Sequence, residues 1–132
     1  MTQTDFAQLV EEAVGSIPDS FRRKFANLNF VVQQMPSPDV THEMSRHPMG
    51  LLGIYQGIPY PRRGPWYGNV APDRIVIYQK PIESQCSSDD EIRGLVRKVV
   101  VHEVGHYFGL SDPELRVLEA QATDRTEKGE GR

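Results

Sequence analysis

The spacing of apolar residues predicts an amphipathic helix near the start of the chain and a longer one in its second half. Apolar side chains recur every three or four residues across Phe6–Ile17, behind Thr4 as a candidate cap. Ser88 and Glu91 have the spacing of a capping box, in which each residue pairs with the backbone of the other. We therefore expect the long helix to start there and to run to about Phe108.

Three apolar runs rich in β-branched and aromatic residues predict strands over residues 29–34, 51–56 and 74–79. In the third run Ile75 and Ile77 alternate with Val76 and Tyr78, which predicts a strand whose two faces differ in burial. Residues 57–72, between the second and third runs, are rich in proline and aromatic residues. This insert is expected to be a loop that either folds over the core or lines a cleft.

The composition favours one soluble domain over residues 1–132, with a frayed polar tail over 121–132. No apolar run approaches the roughly 20 residues of a membrane-spanning helix. The 15 Lys and Arg against 18 Asp and Glu give a net charge of −3, so we expect neither a nucleic-acid nor a membrane partner. The start of the chain lacks the pattern of a secretory signal, and Cys86 is the only cysteine. Both observations favour the cytoplasm.

The residues that indicate chemistry lie near the end of the long helix, where the sequence is His-Glu-x-x-His. His102 and His106 are four positions apart, so their imidazoles lie on one face of a helix and can bind one ion. Neutral imidazole is a good zinc ligand. Glu103 lies beside that face, where its carboxylate can take a proton from a water molecule. The same segment is apolar on two further sides, so we expect this end of the helix to be buried all round.

A third ligand is expected from the residues that follow the helix. Gly109 can adopt the left-handed conformation that ends a helix, and Asp112 then returns toward the ion. We predict that His102, His106 and Asp112 bind Zn²⁺, with the remaining position open to water.

Alternatives to this ligand set remain open. Asp112 is also placed to be only the cap of a following helix, although Ser111 and Glu114 offer another capping box. Glu119 is an alternative third ligand. The two histidines could also be hydrogen-bonded core residues without a metal.

The segment from His102 to Asp112 resembles the elongated motif of metzincin-type zinc peptidases, in the variant with aspartate as the third ligand, as in snapalysin-like enzymes. Over about residues 6–118, including Tyr67-Gly68 in the insert, the chain resembles a family of very small bacterial zincin-like proteins described as possible zinc metallopeptidases. The resemblance implies an α+β, minimal zincin-like fold. In it a small mixed sheet packs on the active-site helix, with a helix at the N-terminus and a short one at the C-terminus.

The chain departs from the metzincin pattern after the motif. All four methionines precede His102, so the methionine-containing turn is missing, and only 20 residues follow Asp112. The substrate cleft is therefore expected to be short on one side. This departure keeps open a metal-binding or peptide-binding module with little turnover, and also a purely structural metal.

The function that we expect from the sequence is zinc-dependent hydrolysis of peptide bonds, with Glu103 as the general base. Tyr67 in the insert is the candidate for stabilising the oxyanion. Residues 51–56 are expected to form a sheet edge to which a peptide or protein substrate adds as an extra strand.

Overall fold

The computed structural model describes residues 1–57 and 73–127, with the side chains of the last helix described as far as Ala122. The helices, in chain order, are α1 (Gln3–Gly15), α2 (Asp19–Arg22), α3 (Pro38–Met44), α4 (Gln79–Ser84), α5 (Asp89–Phe108) and α6 (Asp112–Glu127). A single 3₁₀ turn spans Pro48–Gly50. The strands are β1 (Leu28–Gln33), β2 (Gly53–Gln56) and β3 (Asp73–Tyr78).

The strands form a small mixed sheet in the order β1-β3-β2. β1 pairs with β3 in parallel, and β2 pairs with β3 in antiparallel orientation. β2 is therefore an edge strand among the described residues, as the sequence predicted. The helices and this sheet confirm the predicted α+β class.

The central strand β3 corrects one expectation. All of Ile75, Val76, Ile77 and Tyr78 are buried, so the two faces of β3 do not differ in burial. Ile75 and Ile77 pack with the helices in the main core, whereas Val76 and Tyr78 belong to a smaller cluster on the other face. A central strand that is covered on both faces is buried along its whole length, even when alternate positions carry different residue types.

The long helix α5 packs against α1, β2 and β3 and forms the centre of the fold. Its predicted cap is confirmed, because the Ser88 hydroxyl accepts a hydrogen bond from the Glu91 backbone N–H at 3.2 Å. The cap of α1 lies two residues earlier than expected. Thr2, and not Thr4, accepts the hydrogen bond from the Asp5 N–H.

Gly109 ends α5 in the left-handed conformation, with φ 64° and ψ 34°. Its N–H donates to the carbonyl of His106, and the Leu110 N–H donates to the carbonyl of Gly105, both at 3.0 Å. This pair of hydrogen bonds is the Schellman motif, which satisfies carbonyls that the helix leaves unpaired. The chain can therefore reverse within a few residues of the predicted metal ligands.

Helix α6 runs back along α5 and starts with its own capping box. The Ser111 N–H and hydroxyl donate to Glu114 Oε1 at 3.0 and 2.8 Å, and the Glu114 N–H donates to the Ser111 hydroxyl at 3.4 Å. Leu115, Leu118 and Ala122 form its buried face. The helix continues to Glu127, and a frayed tail over residues 121–132 stays a prediction. Among the described helices none is long and apolar enough to cross a membrane.

Candidate metal centre

A cleft of about 800 Å³ lies between the edge strand β2 and the exposed side of α5. Leu51 to Gly57 form one wall, and the end of α3 with Arg46 contributes to the rim. His102, Glu103 and His106 line the cleft from α5. The helix therefore presents its motif to the space beside the sheet edge.

The structure brings three of the predicted site residues together. His102, Glu103 and His106 each offer a ligand atom, and these atoms lie within 4.8 Å of one another. The two imidazole rings have their centroids 4.6 Å apart. One helical turn between the histidines produces this proximity, as the spacing predicted.

The motif end of α5 is open on one side, which corrects the expectation that it is buried all round. The side chains of His102 and His106 are 46% and 52% exposed, whereas that of Glu103 is 9% exposed. Val101 and Val104 are buried on the other sides of the helix. Apolar residues bury two sides of α5, but the third side, which carries the two histidines, stays open. The edge of the sheet does not reach this side, and the space between them is the cleft.

Glu103 and His106 form a close pair. Glu103 Oε1 lies 3.3 Å from His106 Nδ1. The hydrogen bond with the Glu103 side chain raises the pKa of His106, although partial burial acts in the opposite direction. The carboxylate is held at the floor of the cleft by a helix that is otherwise packed in the core, so its position is well determined.

The two remaining predicted site residues are not part of this cluster. Asp112 is exposed at the first turn of α6 and does not belong to the group of ligand atoms. The cap of α6 is made by Ser111 and Glu114, so the cap does not depend on the Asp112 carboxylate. Asp112 as a third ligand thus stays a prediction. Tyr67 lies outside the described residues.

Glu119, which the sequence offered only as an alternative ligand, lies beside the site. Its Oε1 atom is 3.9 Å from His102 Nδ1. The signal in the sequence is the turn at Gly109 followed by a helix, because a helix that returns along α5 passes its second turn beside His102. Which side chain faces His102 depends on how α6 packs, and the sequence alone does not specify that.

A second pair of histidines, in the segment His-Glu-Met-Ser-Arg-His, does not take part in the cluster. His42 is exposed on the short helix α3. The Nδ1 atom of His47 accepts a hydrogen bond from the Met49 N–H at 3.1 Å and caps the 3₁₀ turn. Helix α3 ends at Met44, so His47 lies outside the helix that carries His42 and the two imidazoles do not share a helix face.

The donor set fits zinc. Imidazole nitrogen and carboxylate oxygen are the donors of catalytic zinc sites, which use three protein ligands and leave one position open. His102 and His106 are exposed toward an open cleft, and the nearby carboxylates of Glu103 and Glu119 can order the imidazoles. The cluster is thus suited to a metal that must also meet a substrate.

Comparison with known families identifies one match. A family model described as "Zincin-like metallopeptidase" matches residues 25–122. This range includes β1, β2, β3, all of α5 and most of α6, and therefore the whole cluster. The comparison with curated proteins gave no match.

Proposed function

Because the chain belongs to the zincin-like metallopeptidase family, we propose that it hydrolyses peptide bonds with a zinc ion bound in the cleft between β2 and α5. The observation that carries this proposal is the group formed by His102, Glu103 and His106, whose ligand atoms lie within 4.8 Å on the wall of that cleft. The site is half exposed, so a substrate can reach it.

In the proposed site His102 and His106 bind the zinc, and Asp112 completes the protein ligands from the start of α6. Zinc would lower the pKa of a water ligand and polarise the carbonyl of the scissile bond. Glu103 would accept the proton of the attacking water and pass it to the leaving amine. The side chain of Glu103 is 9% exposed, and this shielding strengthens its electrostatic effect on groups beside it.

The edge strand supports a peptide as the substrate. Among the residues that the structure describes, β2 pairs with β3 on one side only, and its other edge faces the cleft. An extended peptide could add to this edge by backbone hydrogen bonds, which places its carbonyls in front of the motif. Tyr67 stays our candidate for contacting the developing oxyanion. We also propose that the protein acts in the cytoplasm, on the basis of its one free cysteine, Cys86.

Zinc content tests the metal site. We expect purified wild-type protein to bind one equivalent of zinc and His102→Ala to lose most of it. His42→Ala is the matched control, since His42 is an exposed histidine away from the cluster, and it should bind zinc like the wild type. Wild-type protein without stoichiometric zinc, or His102→Ala with unchanged zinc content, would refute the proposal.

Cleavage of a diverse peptide library tests the reaction. We expect products from the zinc-loaded wild type that disappear in Glu103→Gln, while Glu11→Gln, an exposed glutamate of α1, keeps them. If zinc binds through His102 but the wild type and Glu103→Gln give equally empty product patterns, the chain is a metal-binding or peptide-binding module. Asp112→Asn should weaken zinc binding if Asp112 is the third ligand.

A further inference from the structure

The carboxylate of Glu119 lies behind one of the two histidines of the motif. Glu119 belongs to the second turn of α6, and its Oε1 atom is 3.9 Å from His102 Nδ1. That separation is within ion-pair range, and a small side-chain rotation would be needed for a direct hydrogen bond. Glu119 is half-buried, so its charge is only partly screened by water.

The packing of α6 determines where Glu119 lies. Leu115 packs against Gly105, and Leu118 is fully buried in the main core together with Ala122. These three contacts fix both the rotation and the axial position of α6 on α5. Glu119 follows Leu118 directly and is therefore held at the margin of the helix pair, next to His102.

The atom of His102 that Glu119 approaches is Nδ1, which leaves Nε2 for a metal. Nδ1 and Nε2 lie on different edges of an imidazole, and a neutral imidazole carries its proton on one of them only. A carboxylate at Nδ1 keeps the proton there and leaves the Nε2 lone pair free for zinc. Glu119 is also not a member of the group of ligand atoms formed by His102, Glu103 and His106. Its position is that of a residue that orients a ligand.

We propose that Glu119 is a positioning residue, whose carboxylate accepts a hydrogen bond from the Nδ1–H of His102 and so presents Nε2 to the zinc. The proposal rests on the function proposed above, because it requires His102 to be a metal ligand. It assigns α6 a role in the site beyond packing.

Zinc affinity, measured by competition with a chromogenic chelator, is the first test. We expect Glu119→Ala to weaken zinc binding about 10- to 100-fold, as is typical when the partner of a metal-bound histidine is removed. Glu119→Gln keeps an oxygen that can accept a hydrogen bond from the Nδ1–H of His102. Its zinc affinity should therefore lie between those of Glu119→Ala and the wild type. Glu11→Gln removes a carboxylate from α1 and should bind like the wild type.

The tautomer of His102 in the metal-free protein is the second test, and a purely structural role would not change it. At about pH 8.5, above the ordinary histidine pKa of about 6.5, ¹⁵N NMR distinguishes the two neutral forms. We expect the Nδ1–H form in the wild type and a shift toward Nε2–H in Glu119→Ala. Unchanged zinc affinity together with an unchanged tautomer in Glu119→Ala would overturn the proposal.

Two further outcomes separate this proposal from its alternatives. A crystal structure of the zinc-loaded wild type with a Glu119 oxygen at about 2.0–2.2 Å from the zinc would show that Glu119 is itself a ligand, which would also overturn the proposal. If the wild type binds no zinc through His102, the proposed function fails. The tautomer measurement would still decide whether Glu119 holds His102.

Discussion

Gly105 lies in the last turn of α5, where Leu115 of α6 packs against it. A Cβ atom on Gly105 would overlap Cδ1 of Leu115, which is 8% exposed and packed between the two helices. Gly94 is in the same helix, and among the described residues the position of its Cβ atom faces open space. The same substitution, glycine to alanine, can thus be compared at a site where the added methyl would overlap a packed side chain and at a site where it would not.

The expected changes follow from two opposing effects. Alanine stabilises a helix interior by roughly 0.5–1 kcal/mol relative to glycine. An added methyl in a packed site destabilises by about 1–3 kcal/mol. We therefore expect Gly94→Ala to raise the free energy of unfolding and Gly105→Ala to lower it by up to about 2 kcal/mol. The gain in helix propensity is the same in both variants and cancels when they are compared. Their free energies of unfolding should therefore differ by about 1–3 kcal/mol, which is the cost of the overlap.

Thermal unfolding of the metal-free protein in the presence of a chelator measures this difference without a contribution from zinc binding. For 132 residues 1 kcal/mol corresponds to about 4 °C in Tm. The two variants should thus differ by about 4–12 °C. Leu115→Ala should be less destabilising in the Gly105→Ala protein than in the wild type, because the overlap is then removed. Equal increases in Tm for Gly94→Ala and Gly105→Ala would show that α6 does not pack on α5 at Gly105.

Three further predictions concern the surroundings of the site. Tyr55→Phe removes the hydroxyl that donates a hydrogen bond to Asp73 Oδ2 at 2.9 Å, and Asp73 is 1% exposed. We therefore expect the free energy of unfolding, measured with a denaturant, to fall by about 1.5–3 kcal/mol. An unchanged midpoint would contradict this prediction. In the metal-free protein Glu103 raises the pKa of His106. The pair therefore stabilises the folded state fully at a pH below the His106 pKa of the unfolded chain. This contribution is lost as the pH rises through the His106 pKa of the folded protein. An NMR titration should show a lower His106 pKa in Glu103→Gln, and an identical titration curve would count against the contact. Gly109→Ala places a Cβ atom on a residue with φ 64° and should destabilise the folded protein by about 1–2 kcal/mol. Thermal unfolding measures this effect, and an unchanged Tm would refute the prediction.

Much of the site was predictable because it depends on residues close together in the chain. The four-residue spacing of His102 and His106 places both imidazoles on one helix face, and Glu103 follows from the same periodicity. The cap at Ser88 and the left-handed turn at Gly109 are local as well. Hydrogen bonds between near neighbours and the period of the helix suffice for these features.

Other features depend on packing between distant segments. Val76 and Tyr78 are buried because a second cluster covers that face of β3, which no alternation pattern within the strand could show. His102 and His106 face a cleft because the sheet edge ends beside α5. Glu119 reaches His102 because Leu115 and Leu118 set the position of α6.

The sequence by itself thus determined the helix that carries the motif, the order of donor groups along it and the turn that ends it. Only the tertiary structure decided which face of that helix is open and which side chain of α6 lies next to His102. The physical reason is that exposure and contacts between helices depend on side chains brought together from distant parts of the chain, whereas helix periodicity and capping depend on residues within about one turn.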